Sequence, residues 1–192
     1  MAKTKNPSES YTKTTELVLP NDTNTLNHMM GGRMMHLMDI VGAICAQKHS
    51  NRVVVTASVD TLSFRHPIRL GACVTIEAKV TRSFSSSMEL HVVAYAEDLQ
   101  TEVVVKSNEA YFTFVAVDQA GRPIDVPHVV PETAEEQAQY DGAFKRRQLR
   151  LLMAGRLKPS EVAELSELLV PHNEDGSIME AVKQPQTIGR ID

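Results

Sequence analysis

A helical stripe of apolar residues between Met29 and about His49 is the strongest pattern in the chain. Apolar side chains recur there at steps of three and four residues, at Met30, Met34, Leu37, Val41 and Ile44. Up to Gln47, few polar residues interrupt the stripe, and they are Arg33, His36, Asp39 and Gln47. A helix that is apolar over most of its circumference is normally buried. The spacing therefore predicts one long helix in the core of the protein.

After the helix, the pattern changes to the alternation of apolar and polar residues that strands show when one of their faces is buried. The strands that this alternation and the turn residues predict are 53–64, 74–80, 88–95 and 110–117. A short apolar run from Glu16 to Leu19, which ends at Pro20, predicts a further strand ahead of the helix. A strand, a long buried helix and a series of antiparallel strands together predict an α+β fold.

Shifts in composition divide the chain into four segments. We expect a mobile N-terminus at 1–14, a domain of helix and sheet at 15–126, a C-terminal helical extension at 127–170 and a flexible tail at 171–192. Within the extension, the segment from Glu132 to Arg150 is acidic at its start and basic at its end, an order that suits the dipole of a helix. A shorter helical stretch is predicted from Pro159 to Leu169.

The composition excludes several classes of protein. The formal net charge is −4, aromatic residues make up 5% and tryptophan is absent, which argues against a nucleic-acid partner. The N-terminus has no apolar core of a signal peptide, and no apolar stretch reaches the roughly 18 residues that span a membrane. Cys45 and Cys73 lack the spacing of a metal or redox motif, so we expect them to be buried and reduced. We therefore expect a cytoplasmic protein without a membrane partner.

Several short motifs occur along the chain in a distinctive order. They are Asn21–Asn24, Gly31–Gly32, Met38–Asp39, Phe64–Ile68 and Gly71. Over about Leu17–Val117, their order and spacing resemble the cytosolic acyl-CoA thioesterases of the hotdog superfamily, and most closely the short bacterial acyl-CoA hydrolases. The resemblance implies a hotdog fold, in which a long antiparallel sheet wraps around one central helix. It also implies hydrolysis of acyl-CoA to a free fatty acid and CoA, with no cofactor beyond the CoA of the substrate.

Thioester hydrolysis requires a binding site for the developing oxyanion and an activated water. Gly31 and Gly32 lie where the loop becomes the helix, and a helix start offers unpaired N–H groups to an oxyanion. The other interpretation is that the glycines allow tight packing of the helix. Asp39 is a carboxylate on a strongly apolar helix, which predicts a general base or a nucleophile. The resemblance implies that the acidic residue at this motif position is catalytic.

The spacing of these groups predicts a homodimer. Gly32 and Asp39 are seven residues apart on one face of the helix, which separates them by roughly 10 Å along its axis. A base must lie within about 3 Å of the water that it activates. The simplest solution is two chains in which the glycine turn of one faces Asp39 of the other. The resemblance allows larger assemblies, such as a trimer of dimers or a tetramer.

Other polar residues are weaker candidates. The amide of Asn24 could bind a carbonyl or orient water, or it could only shape the loop as an Asx turn. His28 is a further candidate for substrate binding, whereas Asp22 is a turn or capping residue and Asp60 ranks below Asp39 as a catalytic carboxylate. The seven histidines are scattered and contain no HExxH motif, so no metal site is predicted.

Cations and hydroxyl groups can bind the phosphates of CoA. Arg65, Arg82 and Ser86, within the serine-rich link Ser85–Ser87, are the candidates, and a solvated sheet edge is the alternative. Two other functions stay open for the chain as a whole. One is a non-catalytic hotdog acyl-CoA sensor, and the other is a hotdog hydratase or dehydratase.

Overall fold

The computed structural model describes residues 3–158, in which a five-stranded sheet wraps around one long helix. The strands are β1 (Thr4–Lys5), β2 (Thr12–Leu17), β3 (Val53–Phe64), β4 (Cys73–Ser83), β5 (Ser87–Glu97), β6 (Val104–Val117) and β7 (His128–Val129). The helices are α1 (Pro7–Ser10), α2 (Gly31–Ser50) and α3 (Ala134–Met153), with one 3-10 turn at Pro20–Asp22. The main sheet is antiparallel in the order β2-β4-β5-β6-β3, and β1 pairs with β7 in a parallel ribbon. This architecture confirms the expected α+β hotdog fold.

The long helix α2 is packed against the sheet through its apolar stripe. Met34, Met38 and Cys45 are almost completely buried, and they contribute to the same core as the inward-facing residues of β4 and β5. At Gly42 the helix comes so close to the sheet that a Cβ atom would lie 3.0 Å from the ring of Phe114. The absence of a side chain at this position therefore sets how closely the helix and the sheet approach.

Alternation along β6 determines which of its residues face α2. Every second residue of β6 faces α2, and the buried residues of this row are Asn108, Ala110, Phe112, Phe114 and Ala116. Four of them are apolar, as expected for a face that packs against a helix. Asn108 is the polar exception at the end of the row and is only 2% exposed. A buried amide at a core position has to be explained by what it contacts.

The N-terminal segment differs from its expectation. We expected residues 1–14 to be mobile, but residues 4–14 contain β1, α1 and the first half of β2, which pairs with β4. The reason is that the polar side chains of this segment have partners. Asn6 donates to Glu132 over 2.7 Å, and Ser8 donates to the same carboxylate over 2.8 Å. The order of the N-terminal segment therefore depends on residues far along the chain, which a local sequence pattern cannot reveal.

Element bounds otherwise follow the predicted pattern. The central helix and the strand 53–64 occur as expected, whereas β6 begins at Val104, six residues before the predicted start at Ala110. The predicted helix at Pro159–Leu169 and the predicted tail at 171–192 lie outside the described residues. The compact unit that carries the features discussed below ends at Phe144, and a second unit begins within α3 at Lys145.

Both cysteines were expected to be buried, and the structure confirms this for only one of them. Cys45 and Cys73 are both free thiols, with Cys45 buried and Cys73 partly exposed. Burial raises the pKa of the Cys45 thiol to about 12, so this group is not a nucleophile. Among residues 3–158, no helix combines the length and the apolar content that crossing a bilayer requires.

Candidate active site

The loop before α2 is organised by Asn24. Its side-chain Oδ1 accepts hydrogen bonds from the backbone N–H groups of Leu26 at 2.9 Å and His28 at 3.2 Å. These are the bonds of an Asx turn, so Asn24 shapes the loop. They occupy only the oxygen of the amide, which leaves the Nδ2 group on its other branch as a donor. The same residue can therefore shape the loop and bind a substrate oxygen.

Asp22 is held by an ion pair. Its Oδ1 accepts a hydrogen bond from Arg33 Nε at 2.8 Å, and its Oδ2 accepts one from the backbone of Leu19 at 3.0 Å. The Leu19 bond and the Arg33 guanidinium keep the pKa of Asp22 below its usual value, against the opposing effect of burial. This carboxylate is a structural anchor for the loop and for the start of α2, as the sequence predicted.

The N-terminus of α2 is open. Met30 is the N-cap residue and makes no side-chain capping bond, and the first helical hydrogen bond runs from Met34 N to Met30 O over 3.1 Å. The N–H groups of Gly31, Gly32 and Arg33 therefore have no partner within the helix. Such groups, at the positive end of the helix dipole, are suited to an anionic oxygen.

The two glycines are explained by different contacts. A Cβ atom at Gly31 would lie 3.2 Å from the ring of Phe64, so packing accounts for the glycine there. A Cβ atom at Gly32 would meet nothing within 4 Å, and its backbone needs no positive φ. Packing inside one chain therefore gives no reason for a glycine at position 32. The open space beside Gly32 is available to a substrate or to a second chain.

A cavity of about 290 Å³ lies beside this helix start. It brings together four of the predicted site residues, which are Asn24, His28, Gly31 and Arg65. Its other walls are formed by Met29, Met34, Phe64, His66, Pro67, Ile68 and Asn108. The volume is near the lower end of the range of about 300–1,000 Å³ that is usual for ligand pockets. Apolar walls with a few converging polar groups are typical of a site for a small, partly apolar ligand.

Arg65 lies at the mouth of this cavity. Its guanidinium donates to Glu109 Oε2 over 3.3 Å, and more than half of its side chain is exposed. Burial raises the pKa of Glu109, but hydrogen bonds from Lys106 and His91 have the stronger, opposite effect and hold it below its usual value. Glu109 is thus a carboxylate that restrains Arg65, and the guanidinium remains accessible to an anionic group.

Asp39 lies outside the cavity, two turns further along α2. It is half-buried, and its Oδ1 accepts a hydrogen bond from the hydroxyl of Thr56 on β3 at 2.7 Å. The sequence analysis did not single out Thr56, because a threonine in a strand is ordinary. Its position facing the helix is the signal that only the structure provides. Within one chain, Asp39 and the open N–H groups of Gly32 do not share a site, in agreement with the predicted separation along the helix.

The surface around Asp39 is apolar and unusually exposed. On α2 and β3 it carries Met35, Ile40, Ile44 and Val59, each at least 36% exposed. β3 is an edge strand of the main sheet, since its partner there is β6. An unpaired edge beside an apolar patch is a template for another copy of the chain.

Arg82 does not lie with the other candidates. Its guanidinium donates to the backbone oxygen of Tyr140 over 3.2 Å and lies 4.1 Å from the centre of the Tyr140 ring. The rings of Phe144 and Phe84 are also close, at 5.1 and 5.7 Å. The charge of Arg82 fastens the middle of α3 to the sheet, and its binding of CoA phosphates stays a prediction.

Ser86 also lies away from the cavity. The link Ser85–Ser87 is the turn between β4 and β5, and its backbone bonds Ala116 and Val126. This turn borders residues at the C-terminal end of α2, whereas the cavity lies at the N-terminal end, about 30 Å away along a helix of this length. Ser86 therefore does not line the cavity beside Gly31 within one protomer, and its contact with CoA stays a prediction. In the described part of the chain, no group of three His, Cys, Asp or Glu side chains is arranged to hold a metal.

The chain is similar in sequence to known thioesterases. Residues 26–103 match the family model of the thioesterase superfamily. The chain is 40% identical over 138 residues to the uncharacterized acyl-CoA thioester hydrolase YkhA of Bacillus subtilis, a match that covers 72% of this chain and 80% of that protein.

Solved structures give the same result. The structure of an apo-hexameric acyl-CoA thioesterase is 37% identical, with a TM-score of 0.77 and coverage of 79% of this chain and 97% of that one. An acyl-CoA hydrolase of Staphylococcus aureus, solved with butyryl-CoA and CoA, is 36% identical, with a TM-score of 0.74 and coverage of 85% and 98%.

The Staphylococcus aureus enzyme was also solved as three alanine variants, of an asparagine, an aspartate and a threonine. Along that chain, the three replaced residues are separated by 15 and 17 positions. The same two spacings separate Asn24, Asp39 and Thr56 here. By its fold, its matched length and its identity to these hydrolases, this chain belongs to the hotdog-fold acyl-CoA thioesterases of the thioesterase superfamily.

Proposed function

We propose that the protein hydrolyses the thioester of acyl-CoA in a site shared by two subunits. One protomer contributes the helix start at Gly31–Gly32, the amide of Asn24 and the cavity beside them. The second protomer contributes Asp39 and the Thr56 that bonds it. The separation of Asp39 from the open N–H groups within a single chain is the observation that carries this proposal.

The chemistry requires only these groups and water. Asp39 of the partner subunit accepts a proton from water while the water oxygen attacks the thioester carbonyl carbon. The oxyanion that forms accepts hydrogen bonds from the N–H groups at Gly32 and from Nδ2 of Asn24. When the C–S bond breaks, the sulfur takes the proton from the carboxyl group of Asp39 of the partner subunit. The products are a fatty acid and CoA with a free thiol.

Thr56 fixes the orientation of the base. Its hydroxyl occupies Oδ1 of Asp39, so Oδ2 is the oxygen that can accept a proton from water. A hydrogen bond to an ionised group is worth about 1.5–3 kcal/mol, which is enough to restrict the rotation of a half-buried carboxylate. The matching spacings in the Staphylococcus aureus hydrolase support the assignment of all three residues.

We further propose a homodimer through α2 and the edge of β3, with three dimers forming a hexamer. The exposed apolar residues around Asp39 support the first contact. Three structures that resemble this chain are described as hexameric, at 37%, 34% and 29% identity with TM-scores of 0.77, 0.57 and 0.58. A relative from Rattus norvegicus described as a cytosolic acyl coenzyme A thioester hydrolase, 34% identical over 155 residues, supports a cytoplasmic location.

The function is tested by release of CoA thiol from acyl-CoA, followed with a thiol-reactive dye. The purified protein should turn over many equivalents, and Asp39→Ala should reduce kcat by about a hundredfold or more. Binding of acyl-CoA without release of thiol would instead indicate a sensor, and addition of water to an enoyl-CoA would indicate a hydratase. A single turnover in ¹⁸O-labelled water separates the two roles of Asp39, since a general base directs the label into the fatty acid and a nucleophile acquires it on its own carboxylate.

A further inference from the structure

Asn108 is a polar residue that the mechanism above does not use, although it lines the cavity. It occupies the end of the β6 row that faces α2, where the following members are alanine and phenylalanine. With 2% exposure, its amide is removed from bulk water and its polar atoms need partners. The cavity is the open space that such a group can reach.

The orientation of the amide follows from its one partner. Asn108 Nδ2 lies 3.2 Å from the backbone oxygen of Ser63 on β3. A carbonyl oxygen can only accept, so the group facing it must be the NH₂ and the opposite branch must be Oδ1. Among the residues that the structure describes, Oδ1 has no hydrogen-bond partner, and it is not sealed in the core. It is an acceptor that is directed to the cavity.

The segment that holds Nδ2 is irregular. The pairing of β3 with β6 shifts between Asp60 and Ser63, and Thr61 adopts a left-handed backbone with φ 55°. Such a conformation is strained for a β-branched residue and persists only where the surroundings enforce it. The bond from Asn108 to Ser63 fastens this bulge, which leads directly to Phe64 and Arg65 at the cavity. The bulge thus fixes both the orientation of Asn108 and the wall opposite it.

The polar groups of the cavity differ in what they can bind. The N–H group of Gly31 and Nδ2 of Asn24 are donors, as is the N–H group of Gly32 next to the cavity, which suits the thioester carbonyl. Oδ1 of Asn108 is an acceptor and requires a donor on the ligand. In acyl-CoA, the donor nearest to the thioester is the amide N–H of the cysteamine unit, two methylene groups from the sulfur.

We propose that Oδ1 of Asn108 accepts a hydrogen bond from this cysteamine N–H and so selects thioesters that carry an amide at that distance. The inference rests on the proposed function, since it assigns a substrate contact in the same site. Asn108 is then a specificity residue of the hydrolase. It aligns the thioester with the helix start through the amide beside it.

The test compares butyryl-CoA with an analogue in which an ester oxygen replaces the cysteamine nitrogen, so that only the N–H is lost. The wild-type protein should prefer butyryl-CoA by about threefold to tenfold in kcat/KM. Asn108→Ala should reduce this preference to within about twofold, mainly through the amide substrate. Asn108→Asp keeps an acceptor but loses the bond to Ser63, so it should retain the preference.

The last variant separates substrate recognition from a purely structural role. If Asn108 acts only by fastening the bulge, Asn108→Asp and Asn108→Ala should behave alike and both substrates should suffer equally, which would overturn the inference. Ser107→Ala is the matched control, because Ser107 is buried beside Asn108 and bonds the backbone of Ala94 at 3.1 Å without lining the cavity. Its preference should equal that of the wild type.

Two further outcomes also overturn the inference while leaving the function intact. One is a wild-type protein that hydrolyses both substrates equally well, and the other is an Asn108→Ala variant that keeps the wild-type preference. Failure of the wild-type protein to hydrolyse butyryl-CoA and other acyl-CoA substrates would instead refute the proposed function. Melting temperature and size-exclusion profiles establish that each variant is folded and assembled as the wild type is.

Discussion

The hydroxyl of Thr56 donates a 2.7 Å hydrogen bond to Oδ1 of Asp39, which joins the edge strand β3 to the exposed side of α2. Both residues lie on the apolar surface that we assign to the dimer contact. The bond therefore orients the carboxylate before a second chain arrives. A preoriented group avoids reorganisation in the transition state, which is a main source of catalytic power.

This relationship predicts the effect of removing the hydroxyl. Thr56→Val keeps the shape of the side chain without its donor, so kcat should fall by about tenfold to a hundredfold with little change in KM. Thr56→Ser restores the hydroxyl and should recover most of the activity. Steady-state kinetics with butyryl-CoA measure both. Equal activity of the Val variant and the wild type would show that Thr56 does not orient the base.

Gly32 should be important for activity and unimportant for stability of the chain. Nothing within 4 Å opposes a Cβ atom there, so Gly32→Ala should fold normally, and the added methyl group should obstruct access to the helix N–H groups. We expect kcat/KM to fall by about tenfold or more. Thermal unfolding and thiol release measure the two effects separately.

Gly42→Ala is the matched control for this substitution. Its Cβ atom would lie 3.0 Å from the ring of Phe114, which is 1% exposed and closely surrounded. Overpacking should lower the free energy of unfolding by about 1–3 kcal/mol, less the smaller gain in helix propensity. The reverse pattern, with Gly32→Ala unstable and fully active, would contradict the assignment of Gly32.

Replacing Arg65 and Arg82, which the sequence analysis proposed as contacts for CoA, should have different effects. Arg65→Ala should raise KM for acyl-CoA with a normal melting temperature, since its guanidinium is exposed at the cavity mouth. Arg82→Ala should lower the melting temperature and leave KM unchanged, since its guanidinium binds Tyr140 and the aromatic rings around it. Kinetics and calorimetry on both variants measure the two effects. If KM rose for Arg82→Ala and not for Arg65→Ala, Arg82 would be the arginine that binds acyl-CoA.

His49 predicts a dependence of stability on pH. The ring is fully buried, its Nε2–H donates to Pro127 O at 2.9 Å, and Nδ1 has no partner within residues 3–158. Burial is the main reason that the pKa of His49 lies below its ordinary value, and it outweighs the raising effect of the Pro127 bond. The unfolded chain therefore binds a proton below about pH 6.5 that the folded chain excludes, so stability falls as pH falls below that value.

The contribution of this residue can be isolated by a variant that does not titrate. His49→Gln can still donate to Pro127 O, and its free energy of unfolding should fall less steeply between pH 7 and 5 than that of the wild type. The difference in slope should approach about 1.4 kcal/mol per pH unit while only the unfolded state is protonated. Urea unfolding at several pH values measures it, and parallel slopes would mean that His49 is not the titrating group.

The sequence predicted what repeats locally and missed what depends on distant partners. The apolar period of α2 and the alternation of β4 and β5 placed the core elements, because burial imposes those periods directly. The structure of residues 4–14 was missed because Asn6 and Ser8 are ordered by Glu132, far along the chain. The different surroundings of Arg65 and Arg82 could not be predicted either, since the neighbours of Arg82 come from α3.

The candidate site also contains residues with a local sequence signal and residues that only contacts in the fold reveal. A glycine pair before a helix and a carboxylate within an apolar stripe are local signals, so Gly31, Gly32 and Asp39 could be selected from the sequence alone. Thr56 and Asn108 could not be selected, because a threonine or an asparagine in a strand gains meaning only from what faces it. Their roles depend on the packing of β3 against α2 and on the bulge at Ser63.

The shared site is tested most directly by mixing two inactive variants, Asn24→Ala and Asp39→Ala, after their subunits have been dissociated and allowed to exchange. In a mixed dimer, one site carries both substitutions and the other carries neither. Random exchange should therefore restore about a quarter of the wild-type activity, whereas each variant alone stays inactive. If mass spectrometry confirms that mixed dimers have formed and the mixture stays as inactive as its components, each site is built from a single chain and the account is contradicted.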